Sequence, residues 1–301
     1  MADRGLARLA RPSGAFAMLA LDQRESLRTM IAAAASGGGT IPDAALSAFK
    51  VAAAKALAAS ASAVLLDVEY GLRPVREARA IPTERGLIVA ADRLTQAPGG
   101  PVEDTGVDEA VLADDAIAGY ADAYKLLVIW HPGRDAAHRH DIVEAFLAGC
   151  RRRRKPGIVE GIVRPAPGDA LDARRHADLV LEAAAELAAF GPALYKAEVP
   201  TLGRADDAAI EADARRLTEA VACPWVVLSN GTTPERFDDA AVAAARGGAS
   251  GFLAGRAIWL RSLSAPDAAA HLRDFAAPRL RDLAERVDAV ARPWWSVNRE
   301  A

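Results

Sequence analysis

Short apolar runs recur along the chain and alternate with segments of helical spacing. Each run is about as long as a buried strand, and polar or turn-forming residues bound it. The eight runs that we interpret as strands are AFAMLALD (15–22), AVLLDVEYG (63–71), GLIVAAD (86–92), AYKLLVIW (123–130), GIVEGIVRP (157–165), ALYKAEVP (193–200), PWVVLSNG (224–231) and GFLAGRAIW (251–259).

Alanine-rich segments between these runs have the spacing of amphipathic helices, as in 43–60 and 176–191. Eight strands that alternate with helices at an even pitch predict an α/β fold of the (β/α)8 TIM-barrel type. A doubly wound sheet is the alternative, but no G-x-G-x-x-G follows the first strand. We therefore expect one barrel domain over 1–301, with a C-terminal helix and tail from about 267. Trp294 and Trp295 in this tail can pack on the barrel floor or on a second subunit.

The composition excludes several classes of protein. The chain has 301 residues, a net charge of −3 and two cysteines. This charge gives no reason to expect nucleic acid or an anionic membrane as a partner, and so few cysteines fit a reducing cytoplasm. The first apolar run is short and is preceded by Pro12 and Gly14, so we interpret it as a strand and not as a signal peptide. No stretch is long enough to span a bilayer.

Polar residues interrupt or end the apolar runs. Lys196 lies inside the sixth run, although lysine is depleted in strands and seldom buried. Functional groups of a barrel lie at the C-terminal ends of its strands, where polar residues from different runs meet. A buried ion pair explains any one of them, but charges of both signs on most strands favour a functional site. These residues, with the adjacent glycines, are Asp22, Gln23, Arg24, Asp67, Glu69, Lys125, Glu160, Arg164, Lys196, Glu198, Ser229, Asn230, Gly231, Gly255 and Arg256.

Two lysines beside carboxylates suit a reaction in which an amine attacks a carbonyl. An amine is nucleophilic only when neutral, and an ordinary lysine, with a pKa of about 10.4, is charged at pH 7. Burial and a second ammonium group both lower the pKa of a lysine, and we expect Lys125 and Lys196 to act on each other in this way. Glu160 can carry the protons that imine formation and hydrolysis require. The pattern predicts Schiff-base catalysis.

The last two runs predict a site for an anion. Ser229, Asn230 and Gly231 follow the seventh run, and Gly255 and Arg256 lie within the eighth. Loops after strands seven and eight of a barrel commonly bind phosphate through backbone N–H groups, and an arginine adds a charged fork. A glycine-rich turn without an anion is the alternative.

Two other clusters have simpler interpretations. His131, His138 and His140 lie within one loop-and-helix stretch and not on separate strands, so we do not expect a metal site. The basic run 151–155 directly precedes the fifth strand, which indicates a solvated helix end at the bottom of the barrel.

Six motifs together resemble the class I aldolases of the tagatose-bisphosphate and sulfofructosephosphate group. They occur in order over nearly the whole chain, and their first and last members are most similar to the sulfofructosephosphate aldolases. The motifs are SGAFAMLALDQRESLR, AYKLLVIW, IVEGIVRP, LYKAEVP, WVVLSNG and GASGFLAGRAIW.

The resemblance implies a metal-independent, cofactor-free barrel enzyme that cleaves a ketose 1-phosphate to dihydroxyacetone phosphate and an aldehyde. It also implies a homo-oligomer. It puts the Schiff-base lysine at Lys196, the acid/base carboxylate at Glu160 and a second active-site lysine at Lys125. The remaining catalytic and anion-binding positions that it implies are Asp22, Gln23, Ser229, Gly255 and Arg256, and Arg24 is our own candidate for binding the other anion of the substrate.

The substrate that we expect is 6-deoxy-6-sulfofructose 1-phosphate, cleaved to dihydroxyacetone phosphate and 3-sulfolactaldehyde in sulfoquinovose breakdown. A single Arg24 with Gln23 suits a sulfonate monoanion better than a phosphate dianion. Glu69 and Tyr70, in contrast, look more like the tagatose-bisphosphate relatives. A tagatose or fructose 1,6-bisphosphate aldolase is therefore the first alternative, and a non-catalytic sugar-phosphate-binding barrel is the second.

Overall fold

A computed structural model describes residues 2–35, 40–97, 99–133, 136–165 and 171–299. Its central feature is a closed barrel of parallel strands in the order β1-β10-β9-β8-β7-β6-β3-β2. All eight predicted strands are barrel strands, so the predicted fold class is confirmed. Their bounds are β1 Phe16–Leu21, β2 Ala63–Leu66, β3 Gly86–Ala90, β6 Ala123–Trp130, β7 Gly157–Val163, β8 Leu194–Glu198, β9 Trp225–Leu228 and β10 Gly251–Ala254.

Alternation along the strands divides the barrel interior into layers. On β7, Ile158 packs in an apolar cluster with Met18 and Val226, whereas Glu160, two residues on, lines a pocket. Ile162 follows after two more residues and packs with Ile129 and Leu228 in a second apolar cluster. Because strand side chains alternate with period two, these three residues of β7 lie on the same face of the strand. A polar layer therefore lies between two apolar layers.

A β-hairpin that the sequence patterning did not predict follows β3. Its strands, β4 Asp92–Gln96 and β5 Val102–Val107, pair antiparallel outside the barrel sheet. Val102 packs against the cluster of Ile129, Ile162 and Leu228, so the hairpin covers part of the barrel mouth.

The helices surround the barrel. α7 ends in the basic run, and Arg151 and Arg152 are exposed, as predicted for a solvated helix end. The helices are α1 Ala2–Leu9, α2 Glu25–Ala34, α3 Asp43–Leu57, α4 Arg73–Glu77, α5 Glu109–Ala113, α6 Asp115–Tyr120, α7 Ala136–Arg153, α8 Ala173–Ala188, α9 Asp207–Ala220, α10 Pro234–Arg246, α11 Arg256–Trp259, α12 Ala268–His271 and α13 Ala277–Asp288. Within the ranges given above, no helix combines the length and apolar character needed to cross a membrane.

The bottom of the barrel is closed by the two ends of the chain. Leu6 and Leu9 of α1 pack in the same interior cluster as Trp294 of the tail. The backbone N–H of Trp294 donates to the Gly14 carbonyl at 3.1 Å, and the Trp295 side chain lies against Gly14. Trp294 therefore packs on the barrel floor, which the sequence left open.

The C-terminal helical run contains a π turn, Leu272–Ala276, between α12 and α13. Pro278 follows this turn after Ala277 and lies in the first turn of α13. A proline has no N–H to donate and crowds the preceding helical turn, which a wider π turn accommodates.

Candidate active site

Lys125 lies at the centre of the polar layer and contacts three carboxylates. Its Nζ is 2.8 Å from Asp22 Oδ2, 3.0 Å from Asp92 Oδ2 and 2.9 Å from Glu160 Oε2. The Lys125 side chain is buried, because the adjacent layers of apolar side chains exclude water from it. An unpaired ammonium is costly there, so several carboxylates are needed to stabilise it.

We expected the two lysines to lower each other's pKa, and for Lys125 this expectation is wrong. Burial alone lowers the pKa of Lys125, but the charges of Asp22, Asp92 and Glu160 outweigh it and raise this pKa well above its usual value. Lys125 is therefore a fixed cation. Burial likewise favours a higher pKa for Asp22, but Lys125 and Lys196 hold it well below its usual range. Asp22 is therefore an anion at neutral pH.

Lys196 and Glu160 are direct neighbours across two strands. They pair in register between β7 and β8, and Lys196 Nζ lies 2.9 Å from Glu160 Oε2. The same oxygen contacts Lys125, so one carboxylate joins the two amines. Among the described carboxylates, Glu160 alone is within ion-pair distance of Lys196.

Asp92 is a site residue that the sequence reasoning missed. Besides Lys125, its carboxylate accepts hydrogen bonds from the Leu127 N–H at 3.1 Å and from Arg24 Nη2 at 2.9 Å. Its backbone carbonyl accepts a further bond from Arg24 Nη1. The available signal was an aspartate ending an apolar strand, the same signal that pointed to Asp22. The Arg24 guanidinium, predicted to hold an anion, is thus already paired with a carboxylate.

The residues predicted to bind an anion lie together at the ends of β9 and β10. Ser229, Asn230, Gly255 and Arg256 all line one pocket with the two lysines. The Ala257 N–H points to Ser229 Oγ at 3.5 Å, and Arg256 Nη2 donates to Asn230 Oδ1 at 2.5 Å. Burial lowers the pKa of Arg256, the direction expected for a desolvated cation without a carboxylate in contact.

The pocket has a volume of about 300 Å³ and opens at the C-terminal end of the barrel. Gln23, Arg24 and Ser26 line one side, and Leu94, Gln96 and Val102 of the hairpin cover it. Arg164 also lines it, and its guanidinium donates a hydrogen bond to the Val163 carbonyl at 3.1 Å. The pocket thus combines a buried amine, a carboxylate and cationic groups, as a reaction on an anionic carbonyl compound requires.

Residues 16–261 match the family described as DeoC/LacD family aldolase. The chain belongs to this family. It is 29% identical to the tagatose 1,6-diphosphate aldolase of Listeria monocytogenes (serotype 4a, strain HCC23), over 97% of this chain and 93% of that protein.

Solved structures of other aldolases share the fold of this DeoC/LacD aldolase. The fructose-bisphosphate aldolase of Plasmodium falciparum has a TM-score of 0.72 at 13% identity, over 96% of this chain and 94% of that one. A Schiff-base-forming fructose-1,6-bisphosphate aldolase has a TM-score of 0.61 at 16% identity, over 95% and 100% of the two chains.

Some predicted residues of the DeoC/LacD aldolase lie outside the pocket wall. Gly231 has a φ of 75° in the turn after β9, with Leu202 packed against it. Glu69 is exposed beside the hairpin, and Asp67 forms a fully buried ion pair with Lys50 of α3. Glu69 therefore lies outside the wall of the barrel pocket, in a neighbouring cavity that Arg24 and Asp92 also line.

Two of the three histidines considered for metal binding, His138 and His140, lie on the outer helix α7. His138 is paired with Asp104 at 3.3 Å, and His140 with Glu186 at 3.3 Å. In the described part of the chain, no group of three or more histidine, cysteine, aspartate or glutamate side chains has the arrangement of a metal site.

Proposed function

We propose that this protein is a class I aldolase that forms an imine between Lys196 and the ketone of a sugar phosphate. The observation that carries the proposal is the shared oxygen of Glu160, 2.9 Å from both lysine nitrogens. Lys125 contacts three carboxylates and stays a cation, whereas Lys196 contacts one carboxylate that can take its proton. This asymmetry supports Lys196 as the nucleophile and Lys125 as the fixed charge.

The reaction follows from these positions. Lys196 transfers a proton to Glu160, and the resulting amine attacks the C2 ketone. Glu160 returns the proton to the carbinolamine hydroxyl, which leaves as water and gives an iminium ion. Glu160 then accepts the C4 hydroxyl proton, the C3–C4 bond breaks, and its electron pair forms an enamine. Protonation of the enamine at C3 and hydrolysis release dihydroxyacetone phosphate and regenerate Lys196.

The second lysine and its carboxylates support this chemistry by charge. The ammonium of Lys125 stabilises Glu160 as a carboxylate after each proton transfer, because it lies 2.9 Å from the same oxygen. Asp22, held as an anion 2.8 Å from Lys125, in turn keeps Lys125 in place.

The anion site supports a phosphorylated substrate. Arg256 has no carboxylate within ion-pair distance in the ranges that the structure covers, so its charge is available to a ligand. We place the C1 phosphate of the substrate beside Arg256, Ser229 and Gly255, which puts the ketone toward Lys196 across the same pocket.

We further propose that the second anion of the substrate is a sulfonate, as in 6-deoxy-6-sulfofructose 1-phosphate. The pairing of Arg24 with Asp92 supports this, because a guanidinium already bound to a carboxylate suits a monoanion better than a dianion. Gln23 adds an uncharged donor beside it.

Tagatose 1,6-bisphosphate is the second candidate. The relative from Listeria is named a tagatose 1,6-diphosphate aldolase, and Arg164 offers a cation in the pocket with no carboxylate contact among the residues described. A phosphate between Arg164 and Arg24 would have the two cations that a dianion favours.

The deciding experiment measures dihydroxyacetone phosphate release from both compounds with chelator present, using the wild type and Lys196→Ala. We expect release from the sulfonate at the higher kcat/KM, and no release from either compound by the variant. A higher kcat/KM for the bisphosphate would replace the substrate but keep the mechanism. Release by Lys196→Ala at the wild-type rate would overturn the imine mechanism, and no release by the wild type would favour a binding protein.

A further inference from the structure

The last residue of β8, Glu198, is a buried carboxylate that the mechanism does not use. It follows Lys196 by two residues and is 1% exposed. Its Oε2 accepts a hydrogen bond from the Val163 N–H at 2.8 Å, and its Oε1 accepts one from Asn230 Nδ2 at 2.6 Å. Across the described chain, no lysine or arginine forms an ion pair with it. His176 is the nearest basic group, with Nε2 3.7 Å from Oε2.

A buried charge without a cationic partner needs a reason, because its desolvation is costly. The bond to Asn230 provides one. A carboxylate can only accept hydrogen bonds, so the Asn230 NH2 group must face Glu198 and the amide oxygen must face the other way. That oxygen accepts the bond from Arg256 Nη2 at 2.5 Å. In the opposite orientation, the Asn230 oxygen would face the Glu198 carboxylate and the Asn230 NH2 group would face the Arg256 guanidinium, so neither hydrogen bond could form.

We propose that Glu198 is a positioning residue for the anion site, which acts on Arg256 through the amide of Asn230. The inference rests on the proposed role of Arg256 in binding the substrate phosphate. Glu198 fixes the amide, the amide holds one nitrogen of the guanidinium, and the remaining N–H groups of Arg256 are left for the anion.

A comparison with Arg24 explains why the Asn230 amide lies between Glu198 and Arg256. Its guanidinium is bound directly by Asp92 at 2.9 Å, so an anion must compete with that carboxylate. A carboxylate in the same position on Arg256 would compete with the substrate phosphate for its fork of donors. Glu198 orients Arg256 indirectly, through the Asn230 side chain, and so leaves the guanidinium without a carboxylate in contact among the described residues.

The first test is Glu198→Gln, which keeps the shape of the side chain but allows its amide to present either a donor or an acceptor to Asn230. We expect the affinity for inorganic phosphate, measured by calorimetric titration, to fall about tenfold. We expect KM to rise by about the same factor, with kcat within about twofold of wild type. Glu186→Gln is the matched control, because Glu186 is bonded to Arg139 and Trp130 outside the pocket. It should change neither quantity.

The second test asks whether the effect passes through Arg256. In an Arg256→Ala background, Glu198→Gln should cause no further loss of kcat/KM, because the group that it positions is absent. If the double variant instead loses kcat/KM by the product of the two single-variant factors, Glu198 and Arg256 act independently and the proposal is overturned. A fall in kcat at unchanged KM would also overturn it, since Glu198 would then act on the chemistry at Lys196.

Glu198→Asp provides the same test if the glutamine variant does not fold. It keeps the buried charge but withdraws it from Asn230 by one methylene, so phosphate affinity and KM should again worsen together. Wild-type phosphate affinity in both variants would reject the proposal. The phosphate titration does not require turnover, so it tests this inference even where the proposed aldolase reaction fails.

Discussion

Lys196 Nζ lies 2.9 Å from Glu160 Oε2, and the two residues face each other in the register of β8 and β7. Backbone pairing within the barrel fixes this contact, so it does not depend on a loop. The same oxygen meets Lys125, which two further carboxylates surround. The two amines therefore differ in how many carboxylates contact them, and this difference supports the proposal that Lys196 is the nucleophile and Lys125 the fixed cation.

The first prediction concerns the position of the imine. Lys196→Ala should lose covalent trapping by borohydride in the presence of dihydroxyacetone phosphate, and kcat should fall at least about a thousandfold. Peptide mass spectrometry locates the modified residue in the wild type. Lys55→Ala, on the exposed face of α3, is the control and should be trapped like the wild type. Trapping that persists in Lys196→Ala at Lys125 would reverse the two roles.

The second prediction concerns the charge balance of the polar layer. Lys125→Met leaves Asp22, Asp92 and Glu160 together without their shared cation. Breaking such a buried cluster should lower the free energy of unfolding by about 3 kcal/mol or more near neutral pH, as urea denaturation measures it. Lys155→Met, at the end of the basic run, disturbs no such cluster and should lower the free energy of unfolding by less.

The sign of the pH dependence tests the cause of that loss. In the wild type, the pKa of Asp22 is lowered on folding, so its stabilisation is present above about pH 4 and is lost as the pH falls below that. The raised pKa of Lys125 gives stabilisation that lasts until the pH rises well above about 10. In Lys125→Met, Asp22 loses the cation that lowers its pKa and keeps the neighbouring carboxylates, so we expect its pKa in the folded state to rise instead. The stability gap to wild type should therefore widen from about pH 5 to about pH 8, and a constant gap would contradict this account.

The barrel was predictable because its strands are apolar runs bounded by turn residues, and all eight barrel strands lie within those runs. The hairpin was not, because Asp92–Gln96 is short and mostly polar and its partner strand follows a turn rich in glycine and proline. Such a pair is stabilised by what it covers, here Ile129 and Ile162, and a local pattern does not contain that information.

Apart from Asp92, the charged residues around Lys125 and Lys196 were predictable from the sequence, but their pairings were not. Lys125, Glu160 and Lys196 meet as expected, because period-two alternation puts them on the interior face. That Asp92 binds Arg24, and that Glu198 faces Asn230, depends on contacts between residues far apart in sequence. Sequence alone therefore favoured Arg24 as a free cation, and it gave no role to Glu198.

The third prediction concerns the packing behind Glu160. A Cβ added at Gly161 would clash with Tyr195 Oη and would lie 3.2 Å from Leu187 Cδ1, both in the buried layer outside the barrel. Gly161→Ala should therefore lower the free energy of unfolding by about 1–3 kcal/mol and reduce kcat, because β7 must shift and carry Glu160 with it. Gly119→Ala in α6 is the control, since no atom lies within 4 Å of its added Cβ. Equal unfolding free energies for the two variants would refute this explanation.

The fourth prediction concerns Arg256 as a binding group for a part of the substrate that does not react. Arg256→Ala should raise KM about a hundredfold, because a charged hydrogen-bonding fork to phosphate is lost, while kcat falls no more than about threefold. Arg261→Ala is the control: Arg261 is exposed and paired with Glu235 outside the pocket, so its KM should match the wild type. Steady-state kinetics with either candidate substrate measures both constants. A large fall in kcat at unchanged KM would place Arg256 at the reacting carbons, and the phosphate would then have to bind elsewhere in the pocket, for example at Arg164.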